Sequence, residues 1–152
     1  MKFQPGPPPK LESTCPVVEP PPAPSPCSWA SCAVEVLNLA SVDSNLKGFY
    51  HGFATSTHAY YAPYANENTG AHGYAVRISL SDFTASGVEV LNLASVDPNL
   101  TGFAGVFATA THAYYVPHHH HTDYSGYAAR VSLSDFTASG VEVLDLRVWT
   151  PT

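Results

Sequence analysis

The chain has 152 residues, and its composition restricts the classes of protein to which it can belong. Twelve acidic residues against six basic ones give a formal net charge of −6, and only 12% of residues are charged, so a surface that follows nucleic-acid phosphates is not expected. No apolar run reaches the roughly 18–20 residues that span a bilayer, and the N-terminus lacks the apolar segment of a signal peptide. We therefore predict neither a nucleic-acid partner nor a membrane span.

An extended arm is predicted for residues 1–33, which hold ten of the fourteen prolines. Proline fixes φ and removes a backbone donor, which favours polyproline II over a packed core. Such an arm is long enough to lie along a neighbouring subunit, whereas the alternative is a disordered spacer. The prolines expected to make this contact are Pro20, Pro21, Pro22, Pro24 and Pro26.

All three cysteines lie in this arm, at Cys15, Cys27 and Cys32. A disulfide between Cys27 and Cys32 would close a small loop around Trp29 and leave Cys15 available to another chain, but Cys15 could equally pair with either of them. A zinc site would need a fourth ligand, and the arm has no histidine to supply one. Disulfides in an oxidising compartment are therefore predicted.

The rest of the chain is a tandem repeat organised around one ten-residue motif. The sequence Val-Glu-Val-Leu-Asn-Leu-Ala-Ser-Val-Asp occupies residues 34–43 and 88–97, and its first four residues recur at 141–144. Between residues 34–63 and 88–117, 23 of 30 positions are identical, so the two units should share one backbone. The predicted divisions are a first repeat at 34–87, a second at 88–140, and a partial third repeat or closing strand at 141–152.

Each repeat has the pattern of about four antiparallel strands. Residues 53–63 and 107–117 are rich in β-branched and aromatic residues, which indicates two short strands joined near Ser56 in the first copy. Residues 74–80 then alternate between apolar and small or polar, which is typical of a half-buried strand. A Ser-Asp-Phe-Thr-Ala-Ser-Gly turn follows, with Phe83 or Phe136 as its expected buried anchor.

Together these patterns predict an all-β protein of two near-identical repeats of about 54 residues, each resembling a four-stranded β-propeller blade. A β-sandwich is the main rival. Two blades leave two end faces uncovered, so a longer array, end-to-end stacking of chains or the proline arm must cover them.

A tetrahistidine at His118, His119, His120 and His121, near Asp123, is the sharpest chemical alternative. Clustered imidazoles can hold Zn²⁺, Cu²⁺ or Ni²⁺, but four adjacent histidines do not fix a coordination geometry. We therefore assign no metal site and no cofactor, and keep a histidine-dependent metal-binding protein as a further alternative. His58 and His112 match across the copies, which favours a structural hydrogen bond.

Two surface features point to carbohydrate. Asn99 begins an Asn-Leu-Thr sequon and is the candidate for N-glycosylation. Four tyrosines could form a sugar-recognition surface, which makes a carbohydrate-binding module the alternative function. These are Tyr60, Tyr61, Tyr114 and Tyr115.

Enzymatic activity is not expected. Serine, histidine and aspartate recur in both copies at turn and strand positions, without a nucleophile-elbow pattern. The glutamates at 35, 89 and 142 are one repeat position seen three times, so they do not form a catalytic pair.

The repeats resemble the tandem propeller-like β-repeats of uncharacterised algal and protist proteins. The resemblance covers residues 34–146 and rests on the Thr-His-Ala-Tyr-Tyr, Ser-Leu-Ser-Asp-Phe and Val-Glu-Val-Leu elements. The arm is similar to the hydroxyproline-rich segments of algal surface glycoproteins. These resemblances imply an extracellular or cell-surface location, possible covalent glycans and no catalytic residues.

The function predicted from these observations is that of a structural subunit. We expect the chain to self-associate into a homopolymer, an extracellular fibril or surface coat, through stacking of its repeats and through the N-terminal arm.

Overall fold

The computed structural model describes residues 34–120 and 123–148. The arm at 1–33, with its cysteines and prolines, lies outside the described residues, as do His121 and residues 149–152. The described chain consists of β-strands, turns and short 3-10 segments, so the all-β prediction is confirmed. In this part of the chain no helix has the length and apolar character needed to cross a bilayer.

The first sheet is an antiparallel meander of four strands. Its four strands lie in the order β1-β2-β5-β6, while β3 and β4 pair only with each other, as a small ribbon in the loop between β2 and β5. The bounds are β1 (Phe49–Ala54), β2 (His58–Pro63), β3 (Ala65–Asn66), β4 (Gly70–Ala71), β5 (Tyr74–Ser79) and β6 (Val88–Asn92).

The second sheet repeats this architecture. Its strands lie in the order β12-β11-β8-β7, and β9 and β10 form the corresponding ribbon. The bounds are β7 (Phe103–Ala108), β8 (His112–Pro117), β9 (His119–His120), β10 (Asp123–Tyr124), β11 (Tyr127–Ser132) and β12 (Val141–Asp145). The prediction of four-stranded antiparallel sheets is therefore confirmed.

The recurring motif supplies the last strand of the sheet that precedes it. β6 pairs with β5, with Arg77 opposite Glu89, and β12 pairs with β11, with Arg130 opposite Glu142. A sheet therefore spans two of the predicted repeats, since its fourth strand is the beginning of the next copy. The first copy, at 34–38, forms no strand, because the described residues contain no sheet before β1 for it to join.

The second half of the motif forms the turn that leads to the next sheet. Asn92 accepts a hydrogen bond from the backbone N–H of Ala94 and caps the 3-10 segment Leu93–Ser95. Asp97 then accepts bonds from the backbone and side-chain N–H groups of Asn99 at 2.9 Å each. Short polar side chains that bond to nearby backbone groups favour such turns, and the first copy makes the same bonds at Asn38 and Asp43.

The two sheets stack face to face. Side chains alternate between the two faces of a strand. One face of the first sheet therefore packs against one face of the second, and the residues of these two faces form the main core. Burial of this apolar surface is the main driving force that holds the sheets together. The core residues of the four-stranded sheets are Tyr60, Ala62, Ala75 and Leu91 from the first, and Phe103, Val106, Ala113, Tyr115, Ala129 and Val131 from the second.

A buried hydroxyl in this core gives a first test of the stacked arrangement. The hydroxyl of Tyr115 has no hydrogen-bond partner in the described part of the chain, and burial raises its pKa. Because an unsatisfied buried polar group costs about 1–3 kcal/mol, Tyr115→Phe should raise the free energy of unfolding by about 1 kcal/mol. Chemical denaturation would measure this, with Tyr61→Phe, the half-buried equivalent, as a nearly neutral control. A loss of stability in Tyr115→Phe would contradict the prediction.

Candidate assembly interface

In the described part of the chain, the contact between the two sheets forms a well-defined recognition surface. We call the side of the first sheet that meets the second its stacking face, defined by Phe53, Tyr60, Arg77 and Leu91. The rings of Phe53 and Tyr60 stack in parallel, with centroids 4.7 Å apart and planes 2° apart. Offset parallel rings are a favourable aromatic geometry, so the two rings form a flat apolar platform.

Arg77 organises the polar part of the stacking face. Its Nε and Nη2 atoms donate to the two carboxylate oxygens of Glu89, both at 2.8 Å. These bonds from Arg77 lower the pKa of the Glu89 carboxyl. A bidentate pair of this kind fixes the guanidinium plane, which leaves Nη1 directed at the second sheet.

The partner of the stacking face is the turn at residues 133–137, which we call the anchor turn. Arg77 Nη1 donates to the Leu133 carbonyl at 3.1 Å, and the Arg77 guanidinium lies 4.8 Å above the centre of the Phe136 ring. The same ring meets Tyr60 edge-on at 5.9 Å. One turn therefore supplies a carbonyl acceptor, a cation–π partner and an apolar anchor.

The second sheet carries the same arrangement on its far side, which we call the outer face, defined by Phe107, Tyr114, Arg130 and Leu144. Phe107 stacks on Tyr114 with centroids 5.3 Å apart and planes 8° apart. Arg130 donates to Glu142 at 2.7 Å. The outer face therefore has the aromatic pair and the ion pair of the stacking face.

Exposure distinguishes the outer face from the stacking face. The Arg130 side chain is 40% exposed, compared with 14% for Arg77. Leu144 is 61% exposed, compared with 6% for its equivalent Leu91. Large apolar side chains that are exposed together mark interaction sites on protein surfaces, and the outer face has this character.

A groove of about 320 Å³ crosses the outer face, lined by Tyr114, Arg130, Glu142 and Leu144 among others. Two residues of its lining, Tyr114 and Arg130, are the repeat equivalents of Tyr60 and Arg77, which contact the Phe136 ring on the stacking face. The groove is therefore at the place where an aromatic anchor would insert.

The first repeat has its own copy of the anchor turn, at residues 80–84, which we call the free turn. The sequence predicted Phe83 as a buried anchor, and that prediction is wrong, because Phe83 is 41% exposed whereas Phe136 is 6% exposed. The physical reason is that Phe136 packs against the stacking face, while no described sheet covers Phe83.

Internal hydrogen bonds fix the shape of the free turn. Asp82 accepts hydrogen bonds from the hydroxyl groups of Thr84 at 2.6 Å and Ser86 at 3.0 Å. The Thr84 bond, followed by the Ser86 bond, lowers the pKa of the Asp82 carboxyl. Asp135 accepts the equivalent bonds from Thr137 and Ser139 in the anchor turn, at 2.6 and 2.9 Å. The two turns are therefore held by the same internal hydrogen bonds.

Part of the first sheet's other side is already covered. Leu37 and Leu39, from the first copy of the motif, pack with Leu46 against Val76 and Ile78. One repeat later, the equivalent leucines Leu91 and Leu93 belong to the core between the sheets. The first motif copy thus occupies part of the site that the leucines of a preceding sheet would occupy.

The proposed covalent sites fall largely outside the described residues. Cys15, Cys27 and Cys32 and the five prolines of the arm are among the residues not described. Asn99 is half-buried, with its side-chain amide donating to Asp97 at 2.9 Å. Thr101, which completes its sequon, is buried.

The histidines have structural contacts where they are described. The rings of His118 and Tyr64 lie 5.7 Å apart, and the rings of His118 and Tyr124 lie 6.0 Å apart. The backbone of His119 and His120 forms β9. Within residues 34–120 and 123–148 no group of three His, Cys, Asp or Glu side chains is placed to hold a metal ion. His58 and His112 bond to the adjacent threonines at 2.9 and 2.8 Å.

The tyrosines expected to bind sugar are divided by the fold. Tyr60 and Tyr115 are buried between the sheets, and Tyr61 and Tyr114 are half-buried. Sequence reasoning missed the outer face itself. Its signal was available, since Phe53 matches Phe107 and Arg77 matches Arg130 in the aligned copies.

Comparisons of the chain with protein families, with curated proteins and with solved structures give no match in any of the three. The function is therefore argued from the geometry of the stacked sheets.

Proposed function

We propose that this protein is a structural subunit that self-associates into an extracellular fibril or surface coat. A single observation supports the proposal most strongly: the exposed outer face repeats the side chains of the stacking face, which already binds one sheet of the same kind. A surface that duplicates a working interface is suited to the same kind of partner.

The geometry of such a contact favours an open polymer. The outer face and the free turn lie on different sheets, so a contact between them joins unlike surfaces of two copies. Heterologous contacts of this kind make rings if the rotation closes and open filaments if it does not. Addition of further chains through this contact would extend the stack of sheets already present inside one chain.

We further propose that each sheet is a β-propeller-blade-like unit. Three observations support this finer assignment: the meander order of the four strands, the face-to-face packing of successive sheets, and the fourth strand supplied by the next repeat. Stacked units of this kind bury their faces only against neighbours.

The remaining elements of the proposal concern the cellular setting. The cysteines and prolines of residues 1–33 and the sequon at Asn99 support an extracellular or surface location. The arm would add a second contact between subunits, with glycans as possible covalent additions. The proposal assigns the chain no catalytic activity.

Electron microscopy and sedimentation velocity of the purified protein test this function directly. We expect the sedimenting mass to rise with concentration above the 16.2 kDa of one chain, and filaments or sheets to appear in micrographs. Discrete particles that keep the mass of one chain at all concentrations would contradict the proposal and would favour the carbohydrate-binding alternative.

A further inference from the structure

We propose that the outer face of the second sheet binds the free turn of a second copy of this chain, with Phe83 inserted beside Tyr114 and Arg130. This inference rests on the proposed function and specifies its partner surface. The template is the contact inside the chain, in which Phe136 lies beside Tyr60 and Arg77.

The outer face has the groups that the contact requires. Arg130 is bound to Glu142 through Nη2 at 2.7 Å, as Arg77 is bound to Glu89. The Nη1 atom of Arg77 donates to a backbone carbonyl, whereas no bond from Arg130 to a carbonyl occurs among the described residues. Arg130 can therefore donate to a carbonyl of another chain, a charge-assisted bond of the stronger class.

The free turn has the complementary groups. Leu80 and Phe83 are exposed, and they correspond to Leu133 and Phe136 of the anchor turn. The Leu80 carbonyl is the equivalent of the acceptor that Arg77 uses. Asp82 already fixes the turn by accepting hydrogen bonds from two hydroxyl groups. The turn therefore loses little conformational entropy when it binds, whereas a flexible loop would lose more.

The direction of the contact follows from side-chain alternation. In β5, Ala75 belongs to the core between the sheets, whereas Val76 and Ile78 belong to the cluster on the opposite side. The outer face and the opposite side of the first sheet therefore terminate the two-sheet stack at different ends. A chain cannot satisfy its own outer face in this way, and a second copy is required.

The contact between chains is expected to be weaker than the contact within one. Leu37 and Leu39 already pack on the opposite side of the first sheet. In a chain-to-chain stack, Leu144 and Leu146 of the preceding copy would compete with them for that site. The free turn is the part left uncovered, so assembly should be reversible and dependent on concentration.

Two variants that each disable one side of the contact test the inference. Leu144→Asp places a charge on the outer face, and Phe83→Asp places one on the free turn. Both positions are exposed in the single chain, so neither change should prevent folding, which circular dichroism would verify. Tyr50→Asp changes an exposed aromatic residue outside both surfaces and serves as the control.

Analytical ultracentrifugation should show that wild type and Tyr50→Asp assemble, while each of the two variants alone keeps the mass of one chain. Mixed in equal amounts, the two variants retain one intact surface each. The mixture should therefore reach about twice 16.2 kDa and grow no further.

The outcomes separate this inference from the proposed function. The inference is overturned if wild type assembles but either variant alone still forms polymers, or if the mixture stays at the mass of one chain. Self-association would then use a different contact. If wild type itself never assembles, both proposals fail.

Discussion

Phe103→Ala should remove about 3–5 kcal/mol from the free energy of unfolding, the usual cost of truncating a fully buried phenylalanine. Phe103 is completely buried between the sheets, and its ring meets Tyr115 edge-on with centroids 5.6 Å apart. Truncation would leave a cavity in the main core, which the surrounding strands can close only in part. Urea or guanidinium denaturation, followed by circular dichroism, would measure the loss.

The matched change is Phe49→Ala, at the same position in the first repeat. Phe49 is half-buried and packs on the other side of the first sheet, against Tyr61 and His72. We expect a smaller loss of about 1–2 kcal/mol, because less apolar surface is removed from a buried environment. Equal losses at the two positions would contradict the stacked arrangement, in which only Phe103 lies between the sheets.

Gly48→Ala should cost about 3 kcal/mol or more, because two separate penalties combine at this position. Gly48 has φ of 72°, in the left-handed region, and an added Cβ would lie 1.7 Å from the Ala65 carbonyl oxygen. That oxygen belongs to the ribbon of β3 and β4, so the ribbon would have to move. The Gly48 carbonyl also accepts bonds from the backbone N–H groups of Tyr64 and Ala65 at 3.1 Å.

Gly70→Ala separates the two penalties. Gly70 has φ of 68°, but an added Cβ would meet nothing within 4 Å. Its loss should therefore be about 1–2 kcal/mol, the conformational cost alone. Thermal or chemical denaturation of both variants would compare them, and a Gly70→Ala variant as unstable as Gly48→Ala would show that the predicted clash at Ala65 has no effect.

Local sequence patterns were sufficient to predict the strands. The alternation at Tyr74, Val76 and Ile78 corresponds to β5, and the predicted join near Ser56 lies between β1 and β2. These features depend on side-chain period and turn chemistry, which act within a few residues. Side-chain period and turn residues were therefore enough to predict antiparallel sheets of four strands.

Burial could not be predicted in the same way. Phe83 and Phe136 occupy identical turns, Ser-Asp-Phe-Thr-Ala-Ser-Gly, yet only Phe136 is buried. The difference arises from which sheet lies next to each turn, and no local pattern carries that information. For the same reason the sequence did not identify the outer face, although Arg130 and Phe107 align with Arg77 and Phe53, which are half-buried in the structure.

The sequence pattern also could not show to which sheet the fourth strand belongs. The segment Val-Glu-Val-Leu alternates equally well whether it begins one sheet or ends another. Only the register, with Arg77 opposite Glu89, shows that it completes the preceding sheet. The single remaining copy at 34–38 could not be distinguished by its sequence from the two that form strands.

Because the fourth strand of each sheet comes from the next copy of the motif, the unit of sequence duplication and the unit of folding are out of phase. Inserting one full repeat of sequence, with its ends at equivalent positions of the period, would add a whole sheet and preserve the contacts with the sheets on either side. A truncation that removes the chain from Val88 onward would instead leave a sheet of three strands and turn β5, an interior strand, into an exposed edge, a known hazard for aggregation. Shortening or lengthening this protein by design should therefore follow the ends of β6 and β12, at Asn92 and Asp145.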